Sequence, residues 1–261
     1  MTMTVDGSPY EIELVKTHVL AKLNQRRTPP LVNLDPQQQE IQSLLENTIV
    51  NHEGNSCIIM GPRSTGKTTL VDTTLHNLQA KYPDQFVVVK LSGFAQSDDK
   101  MALREMTRQL DTILFNGTIS EFEGLEKKSM SETLESLLTV LSGNNDDKSR
   151  VSVIIVLDEL DRFALNTRQT LLYNVLDISQ TSPVGVAVVG ITARMNTREI
   201  LEKRVRSRFS QRIYQIRRPL SLQQFWEVCR TNITIDEDAL RGELNFSFAR
   251  GWNEHIDVST P

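Results

Sequence analysis

The chain has 261 residues, 39% of them hydrophobic and 24% charged, with a formal net charge of -4. That is ordinary globular usage with room for one large α/β domain, or one domain and part of a second, and it excludes wholesale disorder and fibrous repeats. It also excludes a surface coated in basic residues, so any contact with nucleic acid is expected through a local patch or through partners.

The start, Met1-Thr2-Met3-Thr4-Val5-Asp6, lacks the basic-then-apolar layout of a signal peptide. No apolar run approaches the roughly 20 residues of a membrane span. An intracellular protein with no membrane partner is expected. Residues 8 to 25 read as a helix opened by Ser8 and Pro9, with Ile12, Leu14, Val15, Val19, Leu20 and Leu23 as apolar positions. Arg26-Arg27-Thr28-Pro29-Pro30 breaks it. A second helix starts at Asp35-Pro36, carries Ile41, Leu44, Leu45, Ile49 and Val50, and is expected to pack against the domain that follows.

Ser56 to Met60 then forms a short buried strand, and Thr69 to Leu75 has helical spacing. Between them stands Gly61-Pro62-Arg63-Ser64-Thr65-Gly66-Lys67-Thr68, a complete phosphate-binding loop in its required strand-to-helix context. The glycines let backbone N–H groups converge on phosphate oxygens, and the helix N-terminus adds partial positive charge. Lys67 is expected to reach the β- and γ-phosphates and Thr68 to offer its hydroxyl to Mg²⁺.

Residues 85 to 91 form the second strand. Helices are expected near 98 to 115 and 131 to 142, with a surface connection over 116 to 128 between them. The third strand, Val151 to Leu157, is apolar almost throughout, which suits a parallel strand covered on both faces. A helix over 167 to 179, a fourth strand over 184 to 191, a helix over 197 to 205 and a fifth strand over 212 to 216 complete an alternating series. The fold class is α/β: a doubly wound parallel five-stranded sheet with flanking helices. Cys57 in the first strand and Cys229 in a late helix have neither disulfide-framework nor metal-site spacing, and read as reduced packing residues.

The third strand runs into Asp158-Glu159, where a phosphate-loop ATPase needs one carboxylate for Mg²⁺ and one to activate water. Asp158 is expected to hold the metal alongside Thr68, and Glu159 to act as general base on the water attacking the γ-phosphate. No Asn-Lys-x-Asp guanine signature is present, which favours ATP. Past the fourth strand, Thr192 is the candidate polar residue near the γ-phosphate; Ala193 in that register, or Thr192 as a plain strand-end hydroxyl, are the alternatives.

From Lys203 to Arg218 there are seven basic residues and no acidic one. Such a run is ordinarily a solvated face. Arg204 and Arg208, four apart, would share one helical face, and a guanidinium pair past the fourth strand is suited to reach a neighbour's γ-phosphate, being always charged and forked. The remaining arginines of the run suit phosphate-backbone contact or plain solvation.

At these residues the chain resembles the subunit 4 family of the eukaryotic origin recognition complex, within the AAA+ ATPases. The likeness is carried by Asn55 to Thr68, Asp158 to Ala164, Arg168 to Gln180 and Leu201 to Arg212, and covers most of residues 10 to 218. What the resemblance implies is an AAA+ domain over 35 to 218, preceded by a helix and linker over 1 to 34 and followed over 219 to 261 by the start of an incomplete helical lid, without the family's winged-helix domain. It implies ATP and Mg²⁺ as cofactors and a nuclear, DNA-binding hetero-oligomer that meets double-stranded DNA through the complex. By the same resemblance Arg204 and Arg208 complete the ATP site of subunit 1, and the chain's own phosphate loop faces subunit 5. Two readings stay open beside it: a self-sufficient clamp-loader-like or helicase-loader-like motor hydrolysing at Glu159, and an assembly subunit whose ATP is not turned over.

Overall fold

In a computed structural model, which describes residues 8 to 24, 30 to 115, 151 to 210, 212 to 235 and 246 to 258, the apolar runs become five parallel strands. They are β1 (Asn55–Met60), β2 (Phe86–Ser92), β3 (Ser152–Asp158), β4 (Val186–Thr192) and β5 (Ile213–Gln215). Their order is β2-β3-β4-β1-β5. β4 is buried along its whole length and β3 up to its last residue. Uninterrupted Val, Ile and Leu is what a strand covered on both faces requires, since neither side meets water. The expected surface connection over 116 to 128 and helix over 131 to 142 lie outside the described residues.

The helices are α1 (Pro9–Leu23), α2 (Asp35–Asn51), α3 (Lys67–Lys81), α4 (Asp99–Phe115), α5 (Leu160–Ala164), α6 (Thr170–Thr181), α7 (Thr197–Ile200), α8 (Lys203–Arg206), α9 (Leu222–Ile233) and α10 (Phe246–Val258). One apolar cluster joins Leu91, Leu157, Phe163, Leu172, Val188 and Phe209 from strands, helices and turn. Each such side chain contributes about 1.5–3 kcal/mol on burial. α2 buries Ile41, Leu44, Leu45 and Ile49, while Val50, which the sequence counted as a packing position, faces water one residue beyond that stripe.

The chain divides into two compact units, one over 36 to 218 and one made of the residues up to 35 together with those from 219 onward. In the smaller unit α1 is started by a capping box: the Glu11 N–H donates to Ser8 Oγ at 3.3 Å and the Ser8 N–H donates to Glu11 Oε2 at 2.9 Å, with Pro9 following. Its Val15 is buried with Ile235, Phe248 and Ala249, and Val19 and Trp252 pack on them. Ile12, Leu20 and Leu23 are exposed, so α1 uses a narrower stripe than its sequence offers. Trp252 Nε1 donates to Ile233 O at 3.0 Å and Asn253 bonds both backbone groups of Ile235.

Both cysteines are free, and burial pushes the Cys57 thiol up to about 12, which keeps it an inert packing group. Among the described residues no helix is long and apolar enough to cross a membrane.

Gly54, at the entry to β1, has no room for a side chain: a Cβ there would lie 1.6 Å from the Ser179 carbonyl oxygen at the end of α6. Gly54→Ala is therefore expected to lower stability by about 2 kcal/mol or more, as overpacking against backbone does, seen as a lower urea midpoint with unchanged slope.

Candidate nucleotide site

β1 ends at Met60, which pairs in register with Thr192, and the chain turns immediately at Gly61. The Gly61 N–H donates to Thr192 O at 3.2 Å, and a Cβ at this position would sit 2.2 Å from the Ile216 carbonyl oxygen, so only glycine lets the loop pass. Ser64 and Gly66 take left-handed backbone (φ 62 and 84), and α3 begins at Lys67. The Thr65 hydroxyl donates to Pro62 O at 2.9 Å, which closes the turn on itself. A loop ending in a helix N-terminus presents N–H groups that have no partner within the helix, which is an anion site by construction.

Lys67 is buried, and its amine donates to Pro62 O at 2.7 Å. Burial holds its pKa below the ordinary lysine value; Glu159 and Asp158 oppose that, and the Arg63 charge adds to it.

β3 delivers the carboxylates. Asp158 is its last residue, and Glu159 follows with a left-handed backbone (φ 55) that turns the chain into α5. Asp158 Oδ1 accepts the Glu159 N–H at 2.9 Å, leaving its second oxygen for another partner. Among the described residues the Glu159 carboxylate and the Thr68 hydroxyl make no hydrogen bond. These are hard oxygen donors in small number, which fits Mg²⁺, an ion held by one or two protein ligands together with phosphate oxygens and water. No group of three or more His, Cys, Asp or Glu that would cage a metal occurs among the described residues.

Thr192, at the end of β4, has a crowded hydroxyl. It bonds Asp161 Oδ1 at 3.0 Å and Thr197 Oγ1 at 2.9 Å, and accepts the Arg194 N–H at 3.1 Å. Arg194 Nε pairs in turn with Asp161 Oδ2 at 3.0 Å. Of the two roles open to Thr192, these partners serve the strand-end one, tying the turn after β4 to α5. Ala193 beside it is half-buried.

The arginine pair sits on a different scaffold from the one its spacing suggests. The helix expected over 197 to 205 is interrupted: α7 stops at Ile200, Leu201 is extended (ψ 131), and α8 covers only Lys203–Arg206. Arg208 lies in the turn after α8, with its N–H on Val205 O at 3.0 Å. The helix expected over 167 to 179 begins instead with a 3₁₀ turn whose Arg168 and Gln169 are left-handed (φ 65 and 42), so that α6 starts at Thr170. Buried Gln169 holds both interruptions. Its amide donates to Ala164 O at 2.7 Å and Ile200 O at 3.0 Å, and its oxygen accepts the Glu202 N–H at 2.9 Å.

The two guanidiniums meet over Tyr173 of α6, at 5.2 Å for Arg204 and 4.1 Å for Arg208. Arg208 also donates to Asp177 Oδ1 and to the Tyr173 hydroxyl, both at 2.8 Å, while Arg204 pairs with Glu202 at 2.7 Å and bonds Arg168 O. Tyr173, Asp177, Asp161 and Gln169 lie within the stretches that carry the family likeness, but no role was expected of them. Tyr173 and Asp177 are four apart on one helix face, a spacing that marks a shared surface but not its occupant.

The comparisons fit this arrangement. A family model described as an AAA ATPase domain matches residues 30–189. The chain belongs to the AAA ATPase family. Its sequence is similar to origin recognition complex subunit 4 proteins, being 36% identical to that of Schizosaccharomyces pombe over 95% of this chain and 26% of the relative. It is also 36% identical to the human one over 87% of this chain and 50% of the relative. The chain thus spans half or less of the length of these two relatives. In fold it is similar to a chain of the Drosophila origin recognition complex bound to DNA, with TM-score 0.60 and 19% identity over 99% of this chain and 65% of that one. In the five-stranded parallel sheet of this AAA domain, Gly61 to Thr68 follow β1, and Asp158 and Glu159 stand at the end of β3.

Because Gln169 satisfies three backbone groups at once, Gln169→Ala is expected to cost about 2–3 kcal/mol, mostly as buried polar groups left unpaired. The measurement is urea unfolding followed by far-UV circular dichroism; a cost under about 0.5 kcal/mol, the size of an ordinary surface change, would remove this residue from its bridging role.

Proposed function

We propose that this chain is an ATP-binding subunit of an origin recognition complex acting at the start of DNA replication in the nucleus. The observation that carries the reading is the buried Lys67 ammonium at the mouth of the phosphate loop, in the field of Asp158 and Glu159. Gly61 through Thr68 wrap the phosphates, with the loop N–H groups and Lys67 as donors. Thr68 and Asp158 would hold Mg²⁺, which when bound neutralises charge on the β- and γ-phosphates. Glu159, whose carboxylate is unspent among the described residues, accepts a proton from the attacking water. With the Thr192 hydroxyl engaged by Asp161 and Thr197, water near the γ-phosphate has one fewer positioning group, and turnover at this site is slow.

Arg204 and Arg208 act in trans on the ATP of the subunit 1 neighbour, and the chain's own loop faces subunit 5. Their side-chain partners lie on α6, on the turn before it and on Glu202, none of them in the phosphate loop. Double-stranded DNA is met as part of the complex. What supports these assignments is the similarity to subunit 4 relatives together with the clustered guanidiniums.

Two experiments test this. Lys67→Ala removes the only buried cation of the loop and is expected to abolish ATP binding by the purified chain in an equilibrium titration; binding within a few-fold of the unchanged protein would refute the assigned loop. The double variant Arg204→Ala with Arg208→Ala is expected to leave the chain's own ATP affinity intact while ATP hydrolysis by the reconstituted complex drops by a factor on the order of 10³. Unchanged hydrolysis there would end the trans assignment and leave nucleotide binding untouched.

A further inference from the structure

Just past β2, the exposed ring of Phe94 carries two guanidiniums: Arg162 from α5 at 4.2 Å and Arg63 from the phosphate loop at 6.0 Å. The ring is held against the carboxylate segment by its own backbone. The Gly93 N–H donates to Asp158 O at 2.9 Å, and a Cβ at Gly93 would come within 2.7 Å of Glu159 O and 2.5 Å of the Arg162 Cβ. β2 and β3 pair through Ser92 and Asp158, so this turn and the carboxylates emerge from the sheet side by side.

Arg63 and Arg162 differ from the other clustered arginines in having no polar partner. Arg194, Arg204 and Arg208 each pair with a carboxylate, whereas neither the Arg63 nor the Arg162 guanidinium makes a hydrogen bond or ion pair among the described residues. Stacking on a ring uses the face of the guanidinium and leaves its in-plane N–H fork unspent. Arg162 thus lies close over Phe94 and Arg63 reaches the outer edge of the same ring, and neither contact consumes a donor.

The charge of the site gives them a ligand. Lys67 lies in the field of Asp158 and Glu159, and Arg63 is close enough for its charge to act on the Lys67 amine. A triphosphate adds a further phosphoryl group to this excess of negative charge, at the end of the site where the loop approaches the carboxylates. We propose that Arg63, held on Phe94 beside Arg162, is a ligand of the γ-phosphate supplied by the chain's own loop, and that it makes the site prefer ATP to ADP. The proposal rests on the reading that this loop binds ATP.

The test is an equilibrium titration of the full chain in Mg²⁺ with ADP and with a non-hydrolysable ATP analogue. Arg63→Ala is expected to weaken the analogue about 10- to 100-fold, the scale of one charge-assisted hydrogen bond, with ADP affected less than about threefold. Phe94→Ala is expected to move the ratio of the two affinities in the same direction by about 3- to 10-fold, because the cation is freed rather than removed, and Phe94→Tyr to restore it. Arg63→Lys, which keeps charge and solubility but loses the planar fork, falls between the unchanged protein and Arg63→Ala. Equal losses on both nucleotides, or no loss on either, would overturn the proposal; the second is what a carboxylate of a neighbouring subunit as the true partner of Arg63 predicts. If the unchanged chain binds neither nucleotide, or Lys67→Ala still binds both, the ATP reading itself fails and the proposal with it.

Discussion

The position of β4 in the sheet governs everything else in the larger unit. It lies between β3 and β1, so the strand that ends in the carboxylates and the strand that ends in the phosphate loop are held one strand apart, with the end of β4 between them. Among the described residues Lys67 makes no direct salt bridge to Asp158 across that separation. The arrangement demands that β4 bear nothing that disturbs its neighbours. Seven residues in a row are buried, and Gly190 is bare because the Leu160 side chain fills the place of its Cβ, at 2.6 Å. The first polar group β4 offers is the Thr192 hydroxyl, and it is used at once to tie Asp161 and Thr197 together, so the turns after β3 and β4 are joined by hydrogen bonds.

Electrostatics divide the cations into two kinds. Lys67 is buried, and its desolvation cost is opposed by the fields of Glu159 and Asp158 and by its hydrogen bond to Pro62 O. Arg204 and Arg208 are partly exposed and held by Glu202, Asp177, two carbonyls and a phenol ring. Partly exposed ion pairs of this sort contribute about 0–1 kcal/mol. Such partners keep the guanidiniums ordered and gathered over Tyr173 but hold them weakly.

Much of this was legible in the sequence, for physical reasons. β3 and β4 are runs of Val, Ile and Leu because both faces are covered, and such runs announce themselves. The loop after β1 is legible because its backbone needs glycine at fixed places, here Gly61 against Ile216 and Gly66 in the left-handed region. The helices over 167 to 179 and 197 to 205 misled for the opposite reason. Their apolar spacing is helical, and nothing local says that Arg168 and Gln169 take left-handed backbone or that Leu201 is extended. The cost of those departures, of order 1–3 kcal/mol each for a left-handed non-glycine residue, is offset by Gln169, whose three hydrogen bonds reach residues 5 to 33 positions away. Periodicity has no access to contacts of that range.

The smaller unit extends the same lesson to the chain's two ends. Its apolar core, as far as described, is Val15, Ile235, Phe248 and Ala249, with Val19 and Trp252 against them. At about 1.5–3 kcal/mol per large side chain, such a cluster offsets the ordering of only a few residues. It holds because polar links reinforce it: Lys22 Nζ donates to Thr234 O at 2.8 Å, and Asn253 closes both backbone groups of Ile235. α9 has no fully buried residue, so α9 and α10 do not make a core from their own side chains. The first helix supplies what they lack, and a segment that reads as a simple N-terminal appendage is thereby part of the structure of residues more than 200 positions later.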